Sequence, residues 1–526
     1  MRPSLLVLFA PRFLRWPLAT LEHLRRELPC LRVQGVVTGG ANTVRRVEES
    51  GLVEEVIDVV AQEHNWLAAE GAERDILYWE RKLHPGALSR ILLSDRHLSC
   101  WTIEATTPST PLSRASKDPR LVSRYLVGLL KSIDQLLTRN DVNAMFAYAV
   151  AGAPAMTMAE LANLRGLPLF ILTGARFDSR QSIDYGNGAL EGLSNVAGLY
   201  RNAVKDPGVV ASGMVRARDF LHSFRESPIE PPYQSDQKQQ LAAELSLRAI
   251  VDATVRLLRE IKRTRSSSVV RNLRKPSPWG EWAFRASRPL RAGIAQYHLE
   301  TPDLEALQGR LAYYPLQLDP EASTMVFAPM FSNQAHAIEA IVKALPPDMI
   351  LLVKEHPSMK GLRPIQFYRR LRRLPRVRLI SPAVSSFALI RRCELTCSIT
   401  GTAAWEAMLL GKPALVLGAF PFSAIEKGLV TCRNFAELPA AIGRALRQEP
   451  ADDDTLLTYL AAVYTASFHF PNDIFWTKVT PQMLEQNKFV YEGMGALLLQ
   501  RLREVGIISN SKEEHSKEIV QTVKTQ

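Results

Sequence analysis

The stretch DMILLVKEHPSMK, residues 348–360, sets the frame for the whole chain. An apolar run of strand type, Met349 to Val353, stops abruptly in Lys354, Glu355, His356 and Pro357. A cation, a carboxylate and an imidazole at a strand's carboxyl end suit a parallel sheet, because ligands of open α/β sheets bind outside those ends. The proline fixes the backbone beside the imidazole, making His356 a rigid donor.

The same pattern recurs along the chain. Runs of buried-strand length stand at residues 5–10, 32–40, 55–60, 142–150 and 167–175, with helical periodicity over 18–28, 122–137 and 153–165 between several of them. That alternation predicts a parallel sheet wrapped by helices. A charged helix is expected over 236–265, then an Arg, Ser and Pro-rich stretch. From about residue 300 the alternation resumes, with strands expected at 324–329, 349–357, 377–381, 395–400 and 413–420. An amphipathic helix is expected over 481–505, ahead of a polar tail with the composition of a disordered segment.

Bulk properties exclude several classes. A chain of 526 residues exceeds one ordinary core and divides into domains. The five cysteines, at 30, 100, 393, 397 and 432, are odd in number and scattered, which fits no disulfide framework and suits a reducing cytosol. The amino terminus, MRPSLLVLFAPRF, has too short an apolar core for a signal peptide and contains Pro11. No run approaches the roughly 20 apolar residues of a spanning helix. The net charge of +12 is concentrated: residues 256–291 hold eleven Lys or Arg against two acids. Trp279, Trp282 and Phe284 lie among them, a mixture that suits an anionic membrane surface as well as a solvated linker. Neither zinc-ligand spacing nor an RNP-like stretch supports nucleic acid as a partner.

Two further groups share the character of the opening stretch. Thr400, Gly401 and Thr402 follow the strand at 395–400 and open a helix, where free amides and hydroxyls attract an anion. Glu406 lies one turn on, placed to accept hydrogen bonds from a ribose diol. The third group, PLQLDPEAST at 315–324, precedes the expected strand 324–329 and supplies Glu321, Ser323 and Thr324. Each residue alone reads equally well as a helix cap or a surface polar group.

Together, YYPLQLDPEAST, LLVKEHP and ITGTAAWEAMLLGKPALVLG resemble the capsule polysaccharide biosynthesis family, relatives of the bacterial β-Kdo transferases of capsule assembly. The resemblance covers residues 310–420 well and the rest only in layout. It implies an α/β protein with two Rossmann-like domains in tandem, of glycosyltransferase-B type, with a helical basic linker and a C-terminal helix. The expected division is an acceptor domain at 1–230, a linker at 231–300, a nucleotide-sugar domain at 301–480, and a helix with tail at 481–526. The resemblance places His356 and Lys354 at the donor phosphate as catalytic candidates, with Glu321 as a third. It assigns Thr400, Gly401, Thr402, Glu406, Ser323 and Thr324 to donor binding.

The activity so implied is transfer of a sugar, an acidic one such as Kdo from a CMP donor, onto a surface polysaccharide or its lipid-linked precursor. Such an enzyme works in the cytoplasm, peripherally on the inner face of the membrane. No metal or further cofactor is expected, since no Asp-x-Asp pair stands where it would support metal use; Asp452 to Asp454 lie in a loop-like stretch. On the acceptor side, loops at 38–42, 151–153 and 174–184 are expected to face the cleft, the last offering Arg176, Asp178, Arg180 and Asp184. A nucleotide-sugar 2-epimerase and a non-catalytic partner in polysaccharide assembly are the alternatives. His84-Pro85 follows no strand and is set aside.

Overall fold

The computed structural model describes residues 2–99, 107–186, 192–228, 245–266, 272–418, 421–475 and 479–509. Two sheets organise it. The first has seven strands in the order β13-β6-β5-β4-β1-β2-β3. Its strands are β1 (Ser4–Phe9), β2 (Arg32–Val37), β3 (Glu55–Asp58), β4 (Ala144–Ala147), β5 (Leu169–Gly174), β6 (Arg180–Asp184) and β13 (Phe468–His469). β1 to β5 run parallel, while β6 and β13 add an antiparallel edge. All six residues of β1 are buried, as a central strand covered on both faces requires.

The second sheet has six parallel strands in the order β12-β11-β10-β7-β8-β9. They are β7 (Arg310–Pro315), β8 (Met349–Lys354), β9 (Val377–Ile380), β10 (Leu395–Ser398), β11 (Ala414–Val416) and β12 (Leu429–Thr431). In both sheets the order reverses between the first and fourth strands of the unit, β1 with β4 and β7 with β10, which opens a crevice at their carboxyl ends. Two Rossmann-like units in tandem are therefore present.

Four departures from the sequence reading matter. The run TMVFAP at 324–329 is not a strand: Ala322–Met325 is a helical turn and Pro329–Phe331 a 3-10 turn. A short apolar run cannot by itself distinguish strand from buried helix. The first strand of the second unit is instead β7, so the 315–324 group follows a strand and joins the other two at the carboxyl edge. The stretch 174–184 is not a loop but the turn and second strand of the β5–β6 hairpin. Finally, the carboxyl-terminal segment returns to the first unit. β13 pairs with β6, and Phe470, Val490, Met494, Leu498 and Leu502 join the core beneath β1. The helix Lys488–Glu504 was legible from its apolar stripe, but its partner was not. Residues 510–526, the polar tail, lie outside the described residues.

Among the described residues no helix is long and apolar enough to cross a membrane. Cys30, Cys393, Cys397 and Cys432 are free thiols, and Cys100 lies outside the described residues.

Candidate functional site

The loops after β7 and β8 meet around one buried guanidinium. Arg363 donates from Nε to Glu355 Oε1 at 3.1 Å, from NH1 to Asp319 Oδ2 at 2.8 Å, and from NH2 to the Gln317 carbonyl. Tyr368 completes the frame, its hydroxyl 2.6 Å from Glu355 Oε2. Burial opposes the charge on Arg363, but Glu355 and Asp319 outweigh it and hold the proton more tightly than usual. Burial raises the Asp319 pKa against the pull of the same arginine. Removing one member of such a buried set costs about 3–5 kcal/mol, because its partners are left charged and unpaired. Sequence reading missed Arg363: a lone arginine eight residues beyond Glu355 carries no local signal of its partners.

On this frame stand the residues of the opening stretch. Lys354 ends β8, is buried, and donates to Ser386 Oγ at 2.6 Å. Next to it, His356 accepts the Ser358 amide at Nδ1, 3.2 Å away. Burial, with the charges of Arg363 and Lys354, lowers its pKa to about 4 against the pull of Glu355. At neutral pH the imidazole is therefore uncharged, and with Nδ1 accepting, its proton sits on Nε2. His356 is thus a neutral hydrogen-bond donor, not a second cation beside Lys354.

The Thr-Gly-Thr turn is cross-braced to the loop after β7. Thr400 donates to the Ser323 carbonyl at 2.9 Å, Ser323 Oγ to Glu321 Oε2 at 2.9 Å, and Thr324 Oγ1 to Asp319 Oδ1 at 3.2 Å. Thr400, Ser323 and Thr324 are buried, and these hydroxyls hold loops together. Half-buried Glu321 and Thr402 border them. Gly401 caps the helix Thr402–Leu409, and its amide donates to Ser398 Oγ at 2.9 Å. A Cβ there would lie 2.7 Å from Gln317 Nε2 and 2.8 Å from Ser398 Oγ, so a side chain at this position would have to displace both groups. Glu406 stands one turn into the helix on the side of Thr402, largely buried.

With this geometry in place, comparison with known proteins is informative. The family model described as capsule polysaccharide biosynthesis protein matches residues 215–463. That match spans just under half of the chain, which is similar to this family over those residues. No curated protein matches. Among solved structures, the β-Kdo 2,7 transferase of Thermosulfurimonas dismutans KpsC aligns at 12% identity and TM-score 0.29, over 63% of this chain and 79% of that one. The β-Kdo 2,4 transferase of the same protein aligns at 11% identity and TM-score 0.26, over 61% and 87%. A putative UDP-N-acetylglucosamine 2-epimerase from Listeria monocytogenes aligns at 12% and TM-score 0.22, over 90% and 94%. At such scores these likenesses carry no argument about chemistry.

The matched segment includes Lys354, His356, Glu321, Thr402 and Glu406, whereas the expected acceptor residues lie before it. Arg180 is buried and donates to Ser467 Oγ at 3.0 Å and to the Tyr464 carbonyl at 3.2 Å. Asp178 accepts the Tyr464 hydroxyl at 2.8 Å. Asp184 caps the helix Ser194–Lys205 through the amides of Leu193 and Asn195, at 2.8 and 3.0 Å. Arg180 and Asp178 thus fasten the β5–β6 hairpin to Tyr464 and Ser467, while Asp184 holds the start of the helix that follows β6. Arg176 is exposed in the left-handed region at φ 68°. Between the two units, Phe177 at the hairpin tip stacks on Trp405, centroids 5.7 Å apart.

The basic segment also turns inward. Arg274 donates to Glu63 Oε1 at 2.7 Å, Asp95 Oδ2 at 2.9 Å and the Tyr125 hydroxyl at 2.8 Å. Asp95 in turn accepts the amide of Ala153 at 3.2 Å, at the start of the helix Ala153–Arg165 where an acceptor loop was expected. Burial raises the Asp95 pKa, but Arg274 and His97 prevail and depress it strongly. His97 beside it is lowered by burial to about 4. Trp282 Nε1 donates to Thr254 at 3.0 Å, while Trp279 is exposed. Arg274 and Trp282 are therefore not free for a membrane, and Arg271 lies outside the described residues. His84 is exposed and far along the chain from this edge, and Asp452 caps the helix Asp453–Thr465.

Proposed function

We propose that the chain is a glycosyltransferase of capsule or surface polysaccharide assembly, moving an acidic sugar such as Kdo from a CMP-linked donor onto a glycan or its lipid-linked precursor. One observation carries the reading: an imidazole that accepts an amide at Nδ1, a lysine and the amino-terminal end of the helix Thr402–Leu409 share the carboxyl edge of one parallel sheet. Departure of the nucleotide builds negative charge on its phosphate, and preorganised donors at that point lower the barrier. His356 supplies a hydrogen-bond donor that needs no change of charge, Lys354 supplies the positive field, and the helix start supplies amides and the Thr402 hydroxyl. Glu406 then receives the ribose hydroxyls. Glu321, at the mouth of the same edge, is the carboxylate available to act on the acceptor.

A lipid-linked acceptor places the enzyme at the inner face of the cytoplasmic membrane. The helix Leu247–Ser266 favours this, since exposed Val251, Val255 and Leu258 recur at helical spacing, with exposed Arg248, Arg259 and Lys262 on the same side. The cationic face expected of residues 256–291 thus moves toward the start of that segment.

Incubation with CMP-sugar and UDP-sugar donors, with and without oligosaccharide acceptors, tests the reading. Release of CMP coupled to a lengthened acceptor is expected. An isomerised sugar formed without acceptor establishes the epimerase instead, and binding without turnover a non-catalytic partner.

A further inference from the structure

Arg288 opens the helix Arg288–Gln296, yet its side chain is buried and points away from that helix into the turn after His356. Its Nε donates to the Lys360 carbonyl at 3.2 Å and its NH2 to the Ser358 carbonyl at 3.0 Å. The amide of Ser358, on the same residue, donates to His356 Nδ1. Helix and turn are pressed together: a Cβ on Gly361, which has φ 75°, would lie 2.6 Å from the Arg288 carbonyl and 3.0 Å from the Ala292 Cβ.

We propose that Arg288 is a positioning residue for His356, holding the Ser358 amide on Nδ1 so that the imidazole proton stays on Nε2. The role of that proton rests on the transferase reading above; the grip on the tautomer does not. A guanidinium with two carbonyl acceptors fixes the turn in orientation as well as place, which a lysine with one compact head cannot do. If the turn rotates away, Nδ1 loses its donor, both neutral tautomers become populated, and the donor faces the phosphate only part of the time. No cofactor or change of oxidation state is involved. The arginine reads in the sequence as one more cation of a linker, and its target lies seventy residues on.

The test is nitrogen-15 NMR of histidine-labelled full-length protein, with the His356 signal assigned by its loss in His356→Gln. The wild type is expected to show a protonated Nε2 and a bare Nδ1. Arg288→Met is expected to shift both nitrogens toward the averaged values of a tautomer mixture. It should also lower kcat about 10- to 100-fold, with donor KM changed far less, since misplacement by about 1 Å costs on that order. Arg288→Lys is expected to fall between. Gly361→Ala, which pushes the helix off the turn while keeping the guanidinium, is expected to mix the tautomers in the same direction and decides the matter if Arg288→Met does not fold. Unchanged His356 nitrogens in a folded Arg288→Met, or in Gly361→Ala where that is the folded variant, overturn the proposal. A wild type with the expected tautomer but no turnover of any nucleotide sugar overturns the transferase reading and leaves the positioning role standing.

Discussion

Arg363 and Arg274 occupy matching places in the two units. Each guanidinium lies between two buried carboxylates at the carboxyl edge of a parallel sheet, Asp319 and Glu355 for one, Glu63 and Asp95 for the other. Each has a tyrosine hydroxyl in its network, Tyr368 or Tyr125, and a histidine nearby whose pKa burial lowers to about 4. The difference is one of origin. Arg363 comes from the turn that follows its own strand, whereas Arg274 comes from the connection between units and reaches partners in the first. The first network therefore sets the shape of one site, and the second fixes the connector against the opposite wall.

The comparison can be broken most directly by removing each cation. Arg363→Met should destabilise the fold by about 3–5 kcal/mol, two carboxylates being left buried without a partner. Arg274→Met should cost less in denaturant unfolding, since the arginine is partly solvent-accessible and one partner, Glu63, has its pKa raised by burial and readily takes up a proton. Equal losses would show that local and imported arginines do the same work.

Next in size is the chemistry. His356→Ala should lower transfer by about 2–4 kcal/mol of transition-state stabilisation with the fold retained, as its side chain stands at a strand's end. A folded variant with unchanged kcat/KM would remove the donor site from β8. The matching change, His97→Ala, should leave the chemistry nearly intact, which distinguishes the two walls.

Both histidines also bear on pH. A histidine with a folded pKa of about 4 against an ordinary 6.5 stays neutral while the unfolded chain takes up protons, so stability is lost as pH falls from about 6.5 toward 4. Each contributes at most about 3 kcal/mol over that range. Replacing either with Gln should flatten the low-pH limb of the thermal-melting profile; an unaltered limb in both variants would mean that neither histidine is held neutral.

Smaller effects sharpen the picture. Glu406→Gln should weaken CMP binding by about 1–2 kcal/mol in calorimetry and affect turnover of saturated enzyme less. Stronger retention of UDP than CMP by the wild type would redirect the donor assignment. Neutralising Arg248, Arg259 and Lys262 together should lower sedimentation with anionic vesicles by about 1 kcal/mol per cation, chiefly at low salt. Wild-type protein that ignores such vesicles at low ionic strength would end the membrane reading.

How much was legible follows from the range of each signal. Lys354 and His356 announce themselves because an apolar strand ends in charge, and Gly401 with Thr402 because a helix start needs particular residues. Arg363 and Arg288 were invisible, since a guanidinium has no periodicity and its meaning comes from carboxylates or carbonyls that the chain brings up later. The same reason hid the inward turn of Arg274 and the brace formed by Thr400 with Ser323. The bonds of Arg180 to Tyr464 and Ser467 were hidden as well, because a polar residue in a hairpin looks identical whether it faces water or a neighbouring segment.

By itself the sequence determined that two parallel sheets form, since buried strands and amphipathic helices are written in patterns of two to four residues. It also placed Lys354, His356, Gly401 and Thr402 at strand ends in the second unit. Only the tertiary structure decided that 315–324 follows a strand, that residues 468–504 complete the first unit, and which charged groups are partners rather than ligands. Those outcomes depend on contacts between distant segments, where burial and pairing of charge are settled by packing and leave no local trace.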